Sequence, residues 1–190
     1  AYDCVFLPDG KHVAATFHGG HVEVYDVATG ERTLELEGHG GVPHGTRCVA
    51  VSPDGTLLVT GGQDAKLIGW DLATGTERWS FSSGPGCYQD VVFRPDGRVL
   101  ASHVTSSGGD KNTLEILDPQ TGEAEVFDMK FSVWSLAYAE DGTLAYAGDS
   151  KWIWVGQEGE GAKRFAFTRK LAQTQVTRLE FQGGGLYATT

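Results

Sequence analysis

Pro53-Asp54-Gly55-Thr56-Leu57-Leu58-Val59-Thr60-Gly61-Gly62-Gln63-Asp64-Ala65-Lys66-Leu67-Ile68-Gly69-Trp70-Asp71 holds the pattern that decides the fold. It runs turn, apolar stretch, turn, apolar stretch. Proline presets the first central position of a tight turn, and glycine supplies the positive φ that closes it. Each apolar stretch has the length of a strand and is too short for a helix. Pro-Asp-Gly returns at Pro8-Asp9-Gly10 and Pro95-Asp96-Gly97, and a relative stands at Glu140-Asp141-Gly142. A degraded copy is Phe181-Gln182-Gly183-Gly184-Gly185. The aspartates Asp9, Asp54, Asp96 and Asp141 stand 45, 42 and 45 residues apart. A period of that size marks a repeat architecture.

The flanks repeat as well. Before each turn lies an apolar strand: Cys4-Val5-Phe6, Val49-Ala50-Val51, Val91-Val92-Phe93, Leu136-Ala137-Tyr138 and Leu179-Glu180-Phe181. A second strand follows each turn. A third ends in Asp26, Asp71 or Asp118, each leading into Ala-Thr-Gly or Gln-Thr-Gly, and a fourth strand follows that turn. The expected class is all-β, a β-propeller of four-stranded antiparallel blades. A lone four-stranded sheet cannot bury both its faces, so blades must stack around an axis. The blades are expected at 1–38, 39–83, 84–129 and 130–168, with a partial one at 169–190, all in one domain. That makes about four and a half blades. Three explanations stand: part of a larger ring, a ring completed by another chain, or a minimal ring. The first is preferred, so the remaining blades are expected from the same parent chain or from another chain.

Composition fits many turns. Glycine takes 27 of 190 positions, roughly twice the usual share of about 7%. The net charge is −10, and no Lys/Arg stripe of the kind that neutralises phosphates is present. Nucleic acid and anionic membrane partners are therefore not expected. The three cysteines Cys4, Cys48 and Cys87 form no CxxC and are odd in number, which speaks against a disulfide framework or a zinc site and fits a cytoplasmic location.

The second unit resembles the WD-repeat family. It has Gly38-His39 before its inner strand, then Thr60 and Asp64, then Trp70-Asp71. The resemblance implies a structural hydrogen-bond relay through His39, Thr60, Asp64 and Trp70. The stretch from Gly40 to His44 leaves His44 as an alternative to His39. The other units are worn: Tyr25 and Leu117 stand where the tryptophan would be, and Trp152 and Trp154 are out of phase.

No GxSxG, HExxH, GxxxxGK[ST] or strand-following GxGxxG occurs, so no enzyme activity and no cofactor are expected. His18-Gly19-Gly20-His21 is read as an exposed hairpin, and His12 and His103 as surface or packing residues. One column of the inner strands holds Asp3, Cys48, Asp90, Ser135 and Arg178. It is expected to bond between blades, with a cation or small molecule in the central channel, in an enzyme or ligand-binding propeller, as the alternative. One position earlier lie Tyr2, Arg47, Gln89, Trp134 and Thr177. In the family the matching residues, together with the one before the turn aspartate (Gln63 here), line a partner-binding face. Tryptophan and arginine are frequent interface anchors. The expected function is thus a non-catalytic scaffold or sensor that binds a protein or peptide on one end face.

Overall fold

The computed structural model describes residues 1–40, 45–105, 112–150, 152–159, 165, 169–173 (backbone path only) and 176–189. Among them the chain is all strand and turn, with no helix. The first sheet is β1 (Cys4–Phe6), β2 (His12–Thr16), β3 (His21–Asp26) and β4 (Arg32–Glu37). The second is β5 (Thr46–Val51), β6 (Leu57–Gly62), β7 (Leu67–Asp71) and β8 (Thr76–Phe81). The third is β9 (Cys87–Phe93), β10 (Val99–Val104), β11 (Asn112–Leu117) and β12 (Ala124–Met129). The fourth is β13 (Val133–Tyr138), β14 (Leu144–Gly148), β15 (Trp152–Gly156) and β16 (Arg169–Gln173). The pair β17 (Arg178–Gln182) and β18 (Gly185–Thr189) follows. Every sheet is an antiparallel meander in chain order.

Both turn signals work through the same two residue types. In the second sheet Asp54 Oδ1 accepts the Thr56 N–H at 3.1 Å, and Gly55 sits at φ +71°. In the next turn but one, Asp71 Oδ1 accepts from Ala73 and Thr74 at 2.9 and 3.0 Å, and Gly75 sits at φ +70°. A side-chain carboxylate fits here because it mimics the backbone acceptor of a turn. The other four-stranded sheets repeat the arrangement at Asp9, Asp26, Asp96, Asp118 and Asp141.

Four apolar clusters lie between successive sheets. Ala14 and Val24 meet Leu58, Ile68 and Trp70. Leu57, Val59 and Trp79 meet Tyr88, Val99 and Leu117. Leu100 and Ile116 meet Leu136 and Tyr146. Ala145 and Ile153 meet Val176 and Leu179. Successive residues of β6, β10 and β14 therefore feed opposite interfaces, as the period of two demands. This is why the middle strands are apolar throughout.

One expectation needs correction. The strand Arg169–Gln173 pairs with β15, so it completes the fourth sheet instead of opening a fifth unit at 169. No Xaa-Thr-Gly turn follows Trp154 to mark that connection in the sequence. The repeats are also not in one phase. Phe6 pairs Val13 and Val51 pairs Leu58, seven residues apart, but Phe93 pairs Val99 and Tyr138 pairs Leu144, six apart. The inner hairpin is one residue shorter in the third and fourth sheets. A one-residue slip turns every side chain to the other face. Leu57 and Val59 accordingly face the following sheet, while the like-numbered Val99 and Ala101 face the preceding one.

Candidate functional site

Second-sheet residues His39, Thr60, Asp64 and Trp70 are brought together. Trp70 Nε1–H donates to Thr60 Oγ1 at 2.8 Å. Thr60 Oγ1 and His39 Nε2 are 2.8 Å apart, and His39 Nδ1 and Asp64 Oδ1 are 3.0 Å apart. Gly40 N–H adds a bond to Asp64 Oδ2 at 2.8 Å. The donors and acceptors balance only if His39 carries its proton on Nδ1: the threonine hydroxyl then donates to Nε2 and the imidazole donates to the carboxylate. Burial raises the Asp64 pKa, but the bonds from His39 and Gly40 outweigh it and hold it below the usual value. The relay pins the loop before β5 to the middle of the sheet. His44, the alternative to His39, lies outside the described residues.

The column of inner-strand residues stitches sheet to sheet. Asp3 Oδ2 accepts the Val49 N–H at 3.2 Å, Asp90 Oδ2 accepts the Leu136 N–H at 2.8 Å, and Ser135 Oγ accepts the Leu179 N–H at 2.9 Å. Each acceptor takes the N–H one position past the column in the next sheet. Cys48 cannot do this. Its thiol points to the Gly61 carbonyl at 3.8 Å, and Asp90 Oδ1 itself takes the Val91 N–H at 2.9 Å. Burial drives the Asp90 pKa up to about 7 against the bond from Leu136, and the Asp3 charge adds to the rise. Burial also pushes the Cys48 thiol well up, so it is a poor nucleophile. The oxygens that a channel cation would need are thus engaged. Among the described residues no group of three or more His, Cys, Asp or Glu is placed to hold a metal.

The residues one position earlier gather at the same place. Tyr2, Arg47, Gln89, Trp134 and Thr177 all line one concave channel of about 850 Å³ between the inner strands. Trp134 is half-buried and belongs to none of the four apolar clusters. Tyr2 is 49% exposed. Gln63 is not brought to the channel. It exchanges two hydrogen bonds with the Gly45 backbone, at 2.9 and 3.2 Å, and so steadies the segment leading to Arg47.

One site escaped the sequence. Glu115 is fully buried in β11 and accepts from Tyr88 at 2.7 Å, from Thr113 at 2.8 Å and from the Ser83 hydroxyl. It ties the loop before β9 to the middle of the third sheet, as the His39 relay does in the second. Its only trace in the sequence is a charge in the apolar run Leu114-Glu115-Ile116. His12 bonds Asp9 on the surface at 2.6 Å, and His103 is buried. His18 is exposed and stacks on Tyr2, while the half-buried His21 stacks on Phe17.

Comparisons agree with this architecture. The profile of the family described as "WD domain, G-beta repeat" matches residues 30–71, which hold His39, Thr60, Asp64 and Trp70. The small ribosomal subunit protein RACK1z of rice is 32% identical over 118 residues, covering 60% of this chain and 34% of that protein. Eukaryotic translation initiation factor 3 subunit I of Phaeosphaeria nodorum is 30% identical over 129 residues, covering 65% and 34%. The chain spans about a third of the length of these curated relatives. Among solved structures, the Cps50 (Swd1) β-propeller domain of Myceliophteria thermophila superposes with a TM-score of 0.78 at 17% identity, covering 97% of this chain and 62% of that one. The chain thus carries a repeat of that family at residues 30–71, set among blades of the β-propeller fold.

Proposed function

We propose that this chain is a non-catalytic protein-interaction module whose protein or peptide partner docks on the end face at the mouth of the inner-strand channel. The observation that carries this is the state of Trp134. A large aromatic stands half-buried at a concavity, outside every apolar cluster, in a channel that Tyr2 and Arg47 also line. Aromatic and arginine side chains of this kind are the usual anchors of interfaces. The relatives support the reading by name: one is a ribosomal subunit protein, one a subunit of an initiation factor, and a chicken relative at 26% identity a kinase receptor-associated protein. We extend the proposal to a cytoplasmic location, with no nucleic acid or membrane partner. Residues 1–190 are taken as one propeller domain with blades meeting near residues 38, 83 and 129.

The test is affinity capture from a native extract of the source cell. Trp134→Ala with Arg47→Ala should lose the proteins captured by the wild type. Val126→Ala, on an exposed position of β12, should keep them. Melting temperatures of all three should stay close. Equal capture by the double variant would refute the proposed face.

A further inference from the structure

One of the arginines with described side chains stands apart. Arg32 meets Glu23 at 2.6 Å, Arg78 meets Asp71 at 2.6 Å, and Arg94 meets Glu158 at 2.6 Å. Arg98 meets Asp96 at 3.0 Å, and Arg178 meets Asp3 at 2.8 Å. Among the arginines with described side chains only Arg47 has no carboxylate. Acids outnumber bases 25 to 15, so carboxylates are not scarce. Arg47 is half-buried and lines the channel in company with Trp134, Tyr2 and Gln89. A guanidinium offers five N–H donors in a fork that fits a carboxylate edge-on.

Of the acids that line the channel, Asp3 and Asp90 are spent, and Glu180 stands exposed on β17. Asp3 holds the N–H groups of Cys4 and Val49 and the Arg178 guanidinium, and Asp90 holds those of Val91 and Leu136. A cationic guest at Asp3 or Asp90 would have to displace these bonds, in a channel that Arg47 also lines. An anionic guest meets an unneutralised cation there. We infer that the partner segment seated here is acidic: a peptide that places an Asp or Glu carboxylate on Arg47 and an aromatic side chain against Trp134 and Tyr2. This rests on the end-face reading above and adds the partner's chemistry. Charge complementarity of this kind fixes orientation and speeds encounter, and salt weakens it.

The test uses fluorescein-labelled peptides of one frame, Gly-Ser-Xaa-Phe-Xaa-Ser-Gly, with Xaa as Glu, Gln or Lys, read by fluorescence anisotropy. The Glu peptide should bind most tightly and the Lys peptide least, and added salt should narrow the gap. Arg47→Ala should weaken the Glu peptide about tenfold, to the level of the Gln peptide, and Arg47→Glu should reverse the order. Arg47→Lys keeps the charge without the fork and should fall between. Its circular dichroism melt, with that of Arg47→Ala, confirms that the blades are intact. If Trp134→Ala weakens all three peptides while Arg47 variants change nothing, the docking face stands and the acidic partner is overturned. A Lys peptide that binds as well as the Glu peptide, or a Glu peptide that does not bind, overturns it as well. Insensitivity of both peptide binding and extract capture to Trp134→Ala removes the docking face itself.

Discussion

Arg178 Nη1 donates to Asp3 Oδ1 at 2.8 Å, joining the inner strand of the last sheet to the N-terminal edge of the first across 175 positions of sequence. The two residues do unequal work. The Arg178 side chain is 60% exposed, and such ion pairs contribute about 0–1 kcal/mol. Asp3 is mostly covered and also accepts from Cys4 and Val49. Leaving a covered N–H without its acceptor costs about 1–3 kcal/mol. Arg178→Ala should therefore lower the urea midpoint only slightly, and less at high salt. Asp3→Ala should lower it more, by an amount that salt barely changes. Equal losses would mean that the ion pair, and not the bond to Val49, is what matters.

The relay gives a sharper figure. Thr60 Oγ1 is at once acceptor for Trp70 and donor to His39, and it is fully buried. Thr60→Val keeps the shape and removes the hydroxyl. It leaves one donor and one acceptor unsatisfied, a cost of about 2–4 kcal/mol. Trp70→Phe removes only one bond and a ring edge, so urea unfolding should show a smaller loss. A Thr60→Val variant as stable as the wild type would show that the relay closes through water or an alternate bond.

Much of this fold was legible because each turn is made by two residues with local physics. Asp54 caps an N–H two residues on, and Gly55 takes a positive φ, whatever surrounds them. The relay was legible for the same reason in one sheet, where His39, Thr60, Asp64 and Trp70 all survive. The register was not. Pro53-Asp54-Gly55 and Pro95-Asp96-Gly97 look alike, yet the hairpins they close differ by one residue, and only pairing partners reveal it. Glu115 was missed because a buried carboxylate is stabilised by Ser83 and Tyr88, which lie far off in sequence. The gathering of Tyr2, Arg47, Gln89, Trp134 and Thr177 was legible because each precedes the same inner-strand position. The bond that Gln63 accepts from the Gly45 backbone was not legible, because it joins two loops 18 residues apart.

Gly69 marks where the second sheet meets the third. A Cβ there would lie 2.4 Å from Trp79 Cε2. Trp79 cannot retreat freely. Its Nε1–H donates to the Pro119 carbonyl at 2.9 Å, and its ring covers Gly122. Gly69→Ala should push the ring from both contacts and destabilise by about 1–3 kcal/mol, the usual cost of overpacking. Gly69→Ala with Trp79→Leu should recover part of that loss relative to Trp79→Leu alone. A double-variant cycle in urea reads the coupling, and a coupling of zero would show that the ring yields without strain.

Asp90 sets a pH dependence. Its folded pKa of about 7 lies above the ordinary 3.8, so the folded chain holds this proton more tightly than the unfolded one. The stabilisation is whole below 3.8 and is lost as pH rises toward 7. Asp90→Asn abolishes that slope. The amide has one oxygen for two N–H groups, so the variant should also lose about 1 kcal/mol at acid pH, through the bond to Val91 or to Leu136. Urea midpoints taken from pH 4 to 7.5 check both parts, and a slope in Asp90→Asn unchanged from the wild type would assign the titration to another group.

His103 should act in the opposite sense. Its ring is buried, stands 4.9 Å from that of Tyr88, and among the described residues has no well-formed hydrogen bond at either nitrogen, the Gly84 backbone coming nearest to one. Burial pulls its pKa below 6.5, although the Glu115 carboxylate pulls the other way. The folded chain therefore keeps this imidazole neutral. The stability it allows is whole above 6.5 and is lost as pH falls and the unfolded imidazole takes up its proton first. From about pH 6.5 downward the wild type sums an acid gain at Asp90 and an acid loss at His103, so each partly masks the other. Asp90→Asn should expose the loss, so its urea midpoint falls on acidification. His103→Leu should expose the gain, so its midpoint rises, and it removes two unsatisfied nitrogens without loss at neutral pH. The double variant should lose both responses. Slopes of the same sign in the two single variants would contradict the assignment, because one carboxylate held protonated and one imidazole held neutral must respond to acid in opposite directions.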